Sequence, residues 1–272
     1  MLSKLKFPLI LDGGLSNVLE DLGCDLNNDL WVANLLNTNP EAIIKTHLAY
    51  LEAGAQIIST SSYQATIPGF MKLGFTAFKS EALILKSVEL ANIALQRFSK
   101  KNKSQFKPLI AASIGPYGAY LADGSEYRGN YNISDEALTS FHEKRIKLLD
   151  KSNCDLLAFE TIPSFQEIKV LSEILYTTKT PAWISFSCKD ENHINDGTSI
   201  KESAAFLKDH PNVFAIGANC TAPKYISSLI TALKSATGNK KIIVYPNSGE
   251  SYNAKSKTWI ENSNPISFAE MT

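Results

Sequence analysis

Short, nearly continuous apolar runs recur along the chain at residues 8–11, 56–59, 108–112, 155–159, 182–186, 213–216 and 242–245. Their apolar residues do not alternate with polar ones, which suits strands buried on both faces of a parallel sheet. Between them the apolar residues take a helical period at 41–53, 80–98, 134–152, 164–176, 200–209 and 223–236. In the first of these, Ile44, Leu48 and Leu51 share one face. The third opens on Ser134, Asp135 and Glu136, a capping serine followed by carboxylates that suit the positive end of a helix dipole. The order is βαβα throughout and no compositional break resembles a linker. The sequence therefore reads as one α/β domain spanning residues 1–272.

Loop lengths choose among α/β architectures. The long loops, 60–79, 115–133 and 246–265, all follow strands, whereas returns from helix to strand are short. Long loops gathered at the carboxyl ends of strands describe a (β/α)₈ TIM-type barrel. A doubly wound sheet would carry a Gly-rich turn after its first strand, but Asp12-Gly13-Gly14-Leu15-Ser16-Asn17 is not GxGxxG. The seven candidate strands predict a barrel whose eighth strand and last helix are missing from this chain.

Composition narrows the function. Hydrophobic residues make up 44%, and 27 Lys and Arg balance 27 Asp and Glu. This is a globular chain without the basic field that holds nucleic acid or an anionic membrane. The amino terminus has Lys4 and Lys6 but no apolar stretch long enough for a secretory signal, so a cytoplasmic location is expected. Cys24, Cys154, Cys188 and Cys220 are scattered, with no CxxC pair to signal a disulfide framework or a zinc ribbon.

The candidate chemistry lies at strand ends. Asp12 follows the first run and is either a turn and helix cap or a carboxylate at the barrel mouth. Glu160 ends the fourth run, where a carboxylate is costly to bury unless it serves a site. Cys220 ends the sixth; it is a small buried apolar residue, a nucleophile or a thiolate metal ligand. The four histidines show no metal-ligand spacing and read as surface or helix residues. Tyr117, Tyr120 and Tyr127 in the 115–133 loop serve either packing or a substrate lid. Glu250 and Tyr252 fall on the expected site face.

These segments together resemble the homocysteine S-methyltransferases. The resemblance rests on Leu11-Asp12-Gly13-Gly14, residues 53–66 (AGAQIISTSSYQAT), 113–129 (SIGPYGAYLADGSEYRG), 159–163 (FETIP), Asp196-Gly197-Thr198, 217–220 (GANC) and 244–250 (VYPNSGE). It spans essentially the whole chain. It implies a zinc-dependent methyl transfer in a (β/α)₈ barrel, from S-methylmethionine or S-adenosylmethionine to homocysteine, giving methionine. By the same resemblance Cys220 matches a zinc cysteine, Glu160 the carboxylate that receives the homocysteine ammonium, and Asp12 a first-strand carboxylate near the amino acid. Tyr63 lies in a substrate-facing loop, and Asn219 shapes the backbone beside Cys220. The 113–129 stretch is closer to the S-methylmethionine branch than to enzymes using betaine-type donors.

The sequence departs from the family in one respect. The Gly-Gly-Cys-Cys motif that supplies two further zinc thiolates is absent, and Cys220 alone leaves the zinc site incomplete. An alternative reading is therefore a catalytically inactive, zinc-poor member that retains amino-acid or partner binding. The partners expected are small molecules, homocysteine and a sulfonium donor, with no nucleic acid and no membrane.

Overall fold

The computed structural model describes residues 5–102 and 106–247, together with the backbone of Ser251–Asn253 and Thr258–Ile260. After α1 (Leu15–Asp21), α2 (Leu35–Thr38) and α3 (Pro40–Glu52), the chain enters β1 (Ile57–Ser59). Helices α4 (Ile67–Lys72) and α5 (Ala77–Lys101) lead to β2 (Leu109–Ile114), and α6 (Tyr117–Leu121) and α7 (Asp135–Asp150) to β3 (Leu156–Ile162). Then come α8 (Phe165–Leu175), β4 (Ala182–Phe186), α9 (Ile200–Leu207), β5 (Val213–Asn219), α10 (Ile226–Ala236) and β6 (Lys241–Tyr245). Strands β7 (Ser251–Asn253) and β8 (Thr258–Ile260) pair antiparallel as a separate hairpin. No described helix is long and apolar enough to cross a membrane.

Strands β1 to β6 pair in sequence order, all parallel. Six of the seven apolar runs are therefore strands. The first, 8–11, makes only a parallel bridge from Leu11 to Ile57. Pro8 has no N–H to give a ladder. What remains is Ile10 O accepting from Gln56 N at 2.8 Å and Asp12 N donating to Ile57 O at 2.9 Å. That short contact still delivers Asp12 to the carboxyl end of β1. The expected eighth strand and last helix concern positions that the described residues do not reach.

The sheet separates two apolar clusters. The larger packs the helices on the outer face, with Leu83, Ile84, Leu138, Ile146, Leu171 and Leu207 at or near zero exposure. The smaller fills the inner face, where Trp183 packs with Ala111, Ala158, Ala215, Leu109, Leu156 and Ile243. Alanines on three strands make room for one indole, the large-against-small packing that a barrel interior requires. Gly217 is a steric necessity there, because a Cβ would stand 1.7 Å from Ile243 O on the adjacent strand.

The helices start where their caps place them. Ser134 Oγ accepts from Ala137 N at 3.3 Å, as its sequence predicts, and Ser164 Oγ accepts from Glu167 N at 3.4 Å. The long loops are built rather than bare. Residues 60–79 contain α4, capped by Thr66, and residues 115–133 contain α6 and a 3₁₀ turn at Ser125–Tyr127.

Candidate active site at the carboxyl ends of the strands

The site is assembled from the last residues of adjacent strands. On the β1 side, Asp12 Oδ2 accepts from Ser59 N at 2.7 Å and Oδ1 from Ser59 Oγ at 3.2 Å. The turn-and-cap reading of Asp12 is therefore incorrect: α1 has Gly14 at its cap, with no side-chain cap bond. Desolvation pushes the Asp12 carboxyl up to about 8; the Ser59 bonds oppose this and the charge of Glu160 adds to it.

Glu160, 8% exposed, lies on β3 beside β2. Ser113 Oγ, on β2, donates to Glu160 Oε1. Tyr245, at the end of β6, also hydrogen-bonds it, yet burial still holds the Glu160 carboxyl above the usual range. Asp12 and Glu160 are thus two desolvated carboxyls, and the charge of Glu160 raises the cost of charge on Asp12. Such a pair is relieved by a cation placed between them.

The second half of the site begins at a break in β3. Its register with β4 shifts between Phe159 and Ile162, and Thr161 takes φ +61°. A β-branched residue in the left-handed region is costly and needs support from its surroundings. Asn219, at the end of β5 and 2% exposed, supplies it. Asn219 Oδ1 accepts from Thr161 N at 2.7 Å and Ser185 Oγ at 2.8 Å, while Nδ2 donates to Thr161 Oγ1 at 2.8 Å. The next residue, Cys220, is itself at φ +45°. Its Sγ accepts from Asn219 Nδ2 at 3.3 Å and Thr161 Oγ1 at 3.5 Å. Burial pushes the thiol up to about 11, with Glu160 and Glu126 adding through their charges.

Tyr245 joins the halves. Its phenol oxygen accepts from Trp183 Nε1 at 3.0 Å, lies 2.7 Å from Ser185 Oγ and hydrogen-bonds Glu160. A continuous polar seam therefore runs across β3 to β6 from Glu160 through Tyr245, Ser185 and Asn219 to Thr161 and Cys220. Tyr63, half-buried in the loop after β1, packs edge-on to Trp31 with ring centroids 6.4 Å apart. Burial raises its phenol well above the usual value, and the charges of Glu126 and Cys220 add to that, so Tyr63 shares their surroundings.

The five residues expected from sequence, Asp12, Tyr63, Glu160, Asn219 and Cys220, gather at one end of the sheet. Sequence reasoning missed Ser59, Ser113, Thr161, Ser185 and Tyr245. Their signal was a polar residue interrupting or ending an otherwise apolar strand. Tyr117 and Tyr120 are packing residues. Tyr117 stacks edge-on to Phe141 at 5.0 Å and Tyr131 at 5.5 Å, and Tyr120 lies 5.3 Å from Phe141 under the Lys72 ammonium. Cys188 is buried, its thiol pushed up to about 12. Asp196 caps a neighbouring turn, accepting from Phe165 N at 2.6 Å. Of the histidines, His193 pairs with Asp190 at the surface and His210 is buried against Ser172 O, while His47 and His142 are helix residues with no exposure. Glu250 and the side chain of Tyr252 lie outside the described residues.

The donor set tests whether zinc fits. Cys220 offers one soft ligand, steered by its backbone and by two hydrogen bonds to sulfur. No group of three His, Cys, Asp or Glu able to hold a metal occurs among the described residues. These residues do not by themselves complete a catalytic zinc site, which normally takes three protein ligands.

The homocysteine S-methyltransferase family model matches residues 9–271. The chain is 48% identical to homocysteine S-methyltransferase YbgG of Bacillus subtilis, over 93% of this chain and 82% of that one. It is 46% identical to homocysteine S-methyltransferase of Escherichia coli, covering 92% and 81%, and 46% identical to selenocysteine Se-methyltransferase of Brassica oleracea, covering 93% and 76%. The crystal structure of the E. coli homocysteine methyltransferase MmuM in its metallated form superposes with a TM-score of 0.86 at 45% identity, over 91% of this chain and 86% of that one. The curved parallel sheet with its strand-end site is that of a TIM-type barrel, and the chain belongs to the homocysteine S-methyltransferase family.

Proposed function

We propose that this chain moves a methyl group from a sulfonium donor, S-methylmethionine or S-adenosylmethionine, to the sulfur of homocysteine, giving methionine. The observation that carries the reading is the Asp12–Glu160 pair. Both carboxyls are raised by desolvation, and the charge of Glu160 bears on Asp12 and on Cys220 alike. An α-ammonium between them relieves both and directs the amino acid's thiol toward Cys220. Tyr63 walls the substrate space, and Asn219 holds Thr161 and Cys220 in their left-handed conformations.

In the transfer, the substrate sulfur attacks the methyl carbon in line. One C–S bond forms as the donor's breaks, and the electron pair returns to the donor sulfur as a neutral thioether. No general acid is needed, and the loss of charge favours a site poor in water. We further propose Cys220 as one ligand of a zinc ion, which would supply the substrate sulfur as a thiolate at neutral pH. The similarity to named methyltransferases supports this reading over an inactive, zinc-poor binding protein. We read residues 1–272 as one homocysteine-binding domain of the cytoplasm. The zero net charge supports small molecules as its partners rather than nucleic acid or a membrane.

Methionine formation by the full chain, supplied with zinc, homocysteine and either sulfonium, tests the reading. Glu160→Gln is expected to lower kcat/KM for homocysteine roughly 10- to 100-fold, the worth of one charged hydrogen bond, with an unchanged melting temperature. No methionine from the wild-type chain with either donor would overturn it.

A further inference from the structure

The proposed transfer leaves one carboxylate of the same site unused. Glu126 lies on the 3₁₀ turn Ser125–Tyr127, in the segment that follows β2. Its backbone is fixed against the strand ends. Ser187 Oγ, just after β4, is 3.1 Å from Glu126 O and 3.2 Å from Thr161 O, and Asn195 Nδ2 holds that hydroxyl at 2.8 Å. On its other side α6 comes so close that a Cβ on Gly118 would stand 2.4 Å from Glu126 N. The turn cannot move away from the site without breaking both contacts.

Fixed in this way, Glu126 Oε2 is buried with no hydrogen-bond partner. The charge of Arg128 lowers the Glu126 carboxyl but gives Oε2 no hydrogen bond: Arg128 donates to Asp123 O at 3.2 Å and Ser125 Oγ at 2.8 Å, and pairs with Asp123 Oδ2 at 3.3 Å. Asp123, on the same turn, adds negative charge rather than relieving it. The Glu126 charge acts on Tyr63, Tyr131 and Cys220. It therefore lies near both the aromatic wall and the cysteine. A desolvated carboxylate with an empty oxygen is expensive and calls for a reason in function.

Resting on the methyl-transfer reading, we propose that Glu126 recognises the positive charge of the methyl donor. The match is chemical. A sulfonium is a cation without N–H or O–H groups. It is best met by a carboxylate that is not already engaged and by an aromatic surface, here Tyr63 backed by Trp31. Asp12 and Glu160, which hold hydroxyl donors of their own, are left to the ammonium. The role has a kinetic signature. Methyl transfer removes the sulfonium's charge, so Glu126 attracts the bound donor more strongly than the transition state. Its contribution belongs in donor binding and in the release of the neutral thioether, not in kcat.

The test uses the full chain and Glu126→Gln, varying S-methylmethionine at saturating homocysteine and then the reverse. Expected are a 10- to 100-fold rise in donor KM, a kcat that is unchanged or higher, and an unchanged KM for homocysteine. Calorimetric titration provides a second readout that needs no turnover: wild type binds S-methylmethionine more tightly than methionine, and the variant loses that preference. Glu126→Asp, which keeps the charge, should retain part of it and guards against a Gln variant that fails to fold. An unchanged donor KM, an equal loss for both substrates, or a preference that survives in Glu126→Gln overturns the inference. Absence of methionine from the wild-type chain would count against the transfer itself, while the sulfonium preference would still decide the role of Glu126.

Discussion

Glu167 and Glu160 are both buried carboxylates beside the loop that follows β2, and they are treated in opposite ways. Glu167, on α8, has no exposure and every oxygen is occupied. Its Oε1 accepts from Tyr117 N at 2.6 Å and His142 Nε2 at 2.7 Å, and its Oε2 accepts from Tyr131 Oη at 3.0 Å. Arg145 completes the group, with Nη2 3.0 Å from His142 Nδ1 and 2.8 Å from Gly115 O. Arginine only donates, so Nδ1 must accept and the proton of His142 sits on Nε2. The imidazole is neutral, in agreement with the downward shift that burial imposes on it. Glu160 has two hydroxyl partners, Asp12 only Ser59, and Glu126 Oε2 none. The satisfied carboxylate pins the loop; the under-satisfied ones leave room for a substrate's charge.

The comparison breaks most severely if Glu167 proves dispensable. Glu167→Ala leaves Arg145 buried without its counter-charge and is expected to cost about 3–5 kcal/mol in chemical denaturation. A loss below about 1 kcal/mol would show that the group is not what holds the loop. Tyr131→Phe removes a single bond to the same carboxylate, while Tyr117 N and His142 remain. A cost of about 2 kcal/mol is expected, with both substrate KM values unchanged. A kinetic effect without a stability effect would move Tyr131 into the substrate site and dissolve the distinction.

How far this was legible in sequence follows the same division. The strands announced themselves because a strand covered on both faces needs an unbroken apolar run, and the helices because one apolar face repeats. The run at 8–11 misled, since hydropathy does not register that Pro8 cannot join a ladder. Strand ends located Asp12, Glu160 and Cys220. Nothing local announces that Thr161 takes positive φ, because Asn219 supports it from 58 positions further along the chain. The Glu167 group was equally silent, its partners lying 25 to 50 residues away in sequence. The tyrosines of the loop left packing and a substrate lid open, because composition cannot tell a ring that faces a substrate from one that faces Phe141.

The last expected effect is the most discriminating, and it concerns Asp12. In the folded chain its carboxyl titrates near 8, against 3.8 when unburied. Between those values the folded state holds a proton that the unfolded state has released, so this group removes stability as pH rises from about 4 to about 8 and adds no further change above. Asp12→Asn abolishes that titration. The variant should gain on wild type progressively over the same interval, while its affinity for homocysteine falls. Glu160 and Tyr50, which face Asp12, are present in both proteins, so the difference between their melting curves reports mainly Asp12. Saturating amino acid should flatten the wild-type pH dependence, because an ammonium beside Asp12 restores its ionised form, and should leave the variant unchanged. A wild-type chain that instead gains stability relative to the variant as pH rises would place Asp12 with Glu167, among carboxylates already satisfied by the fold.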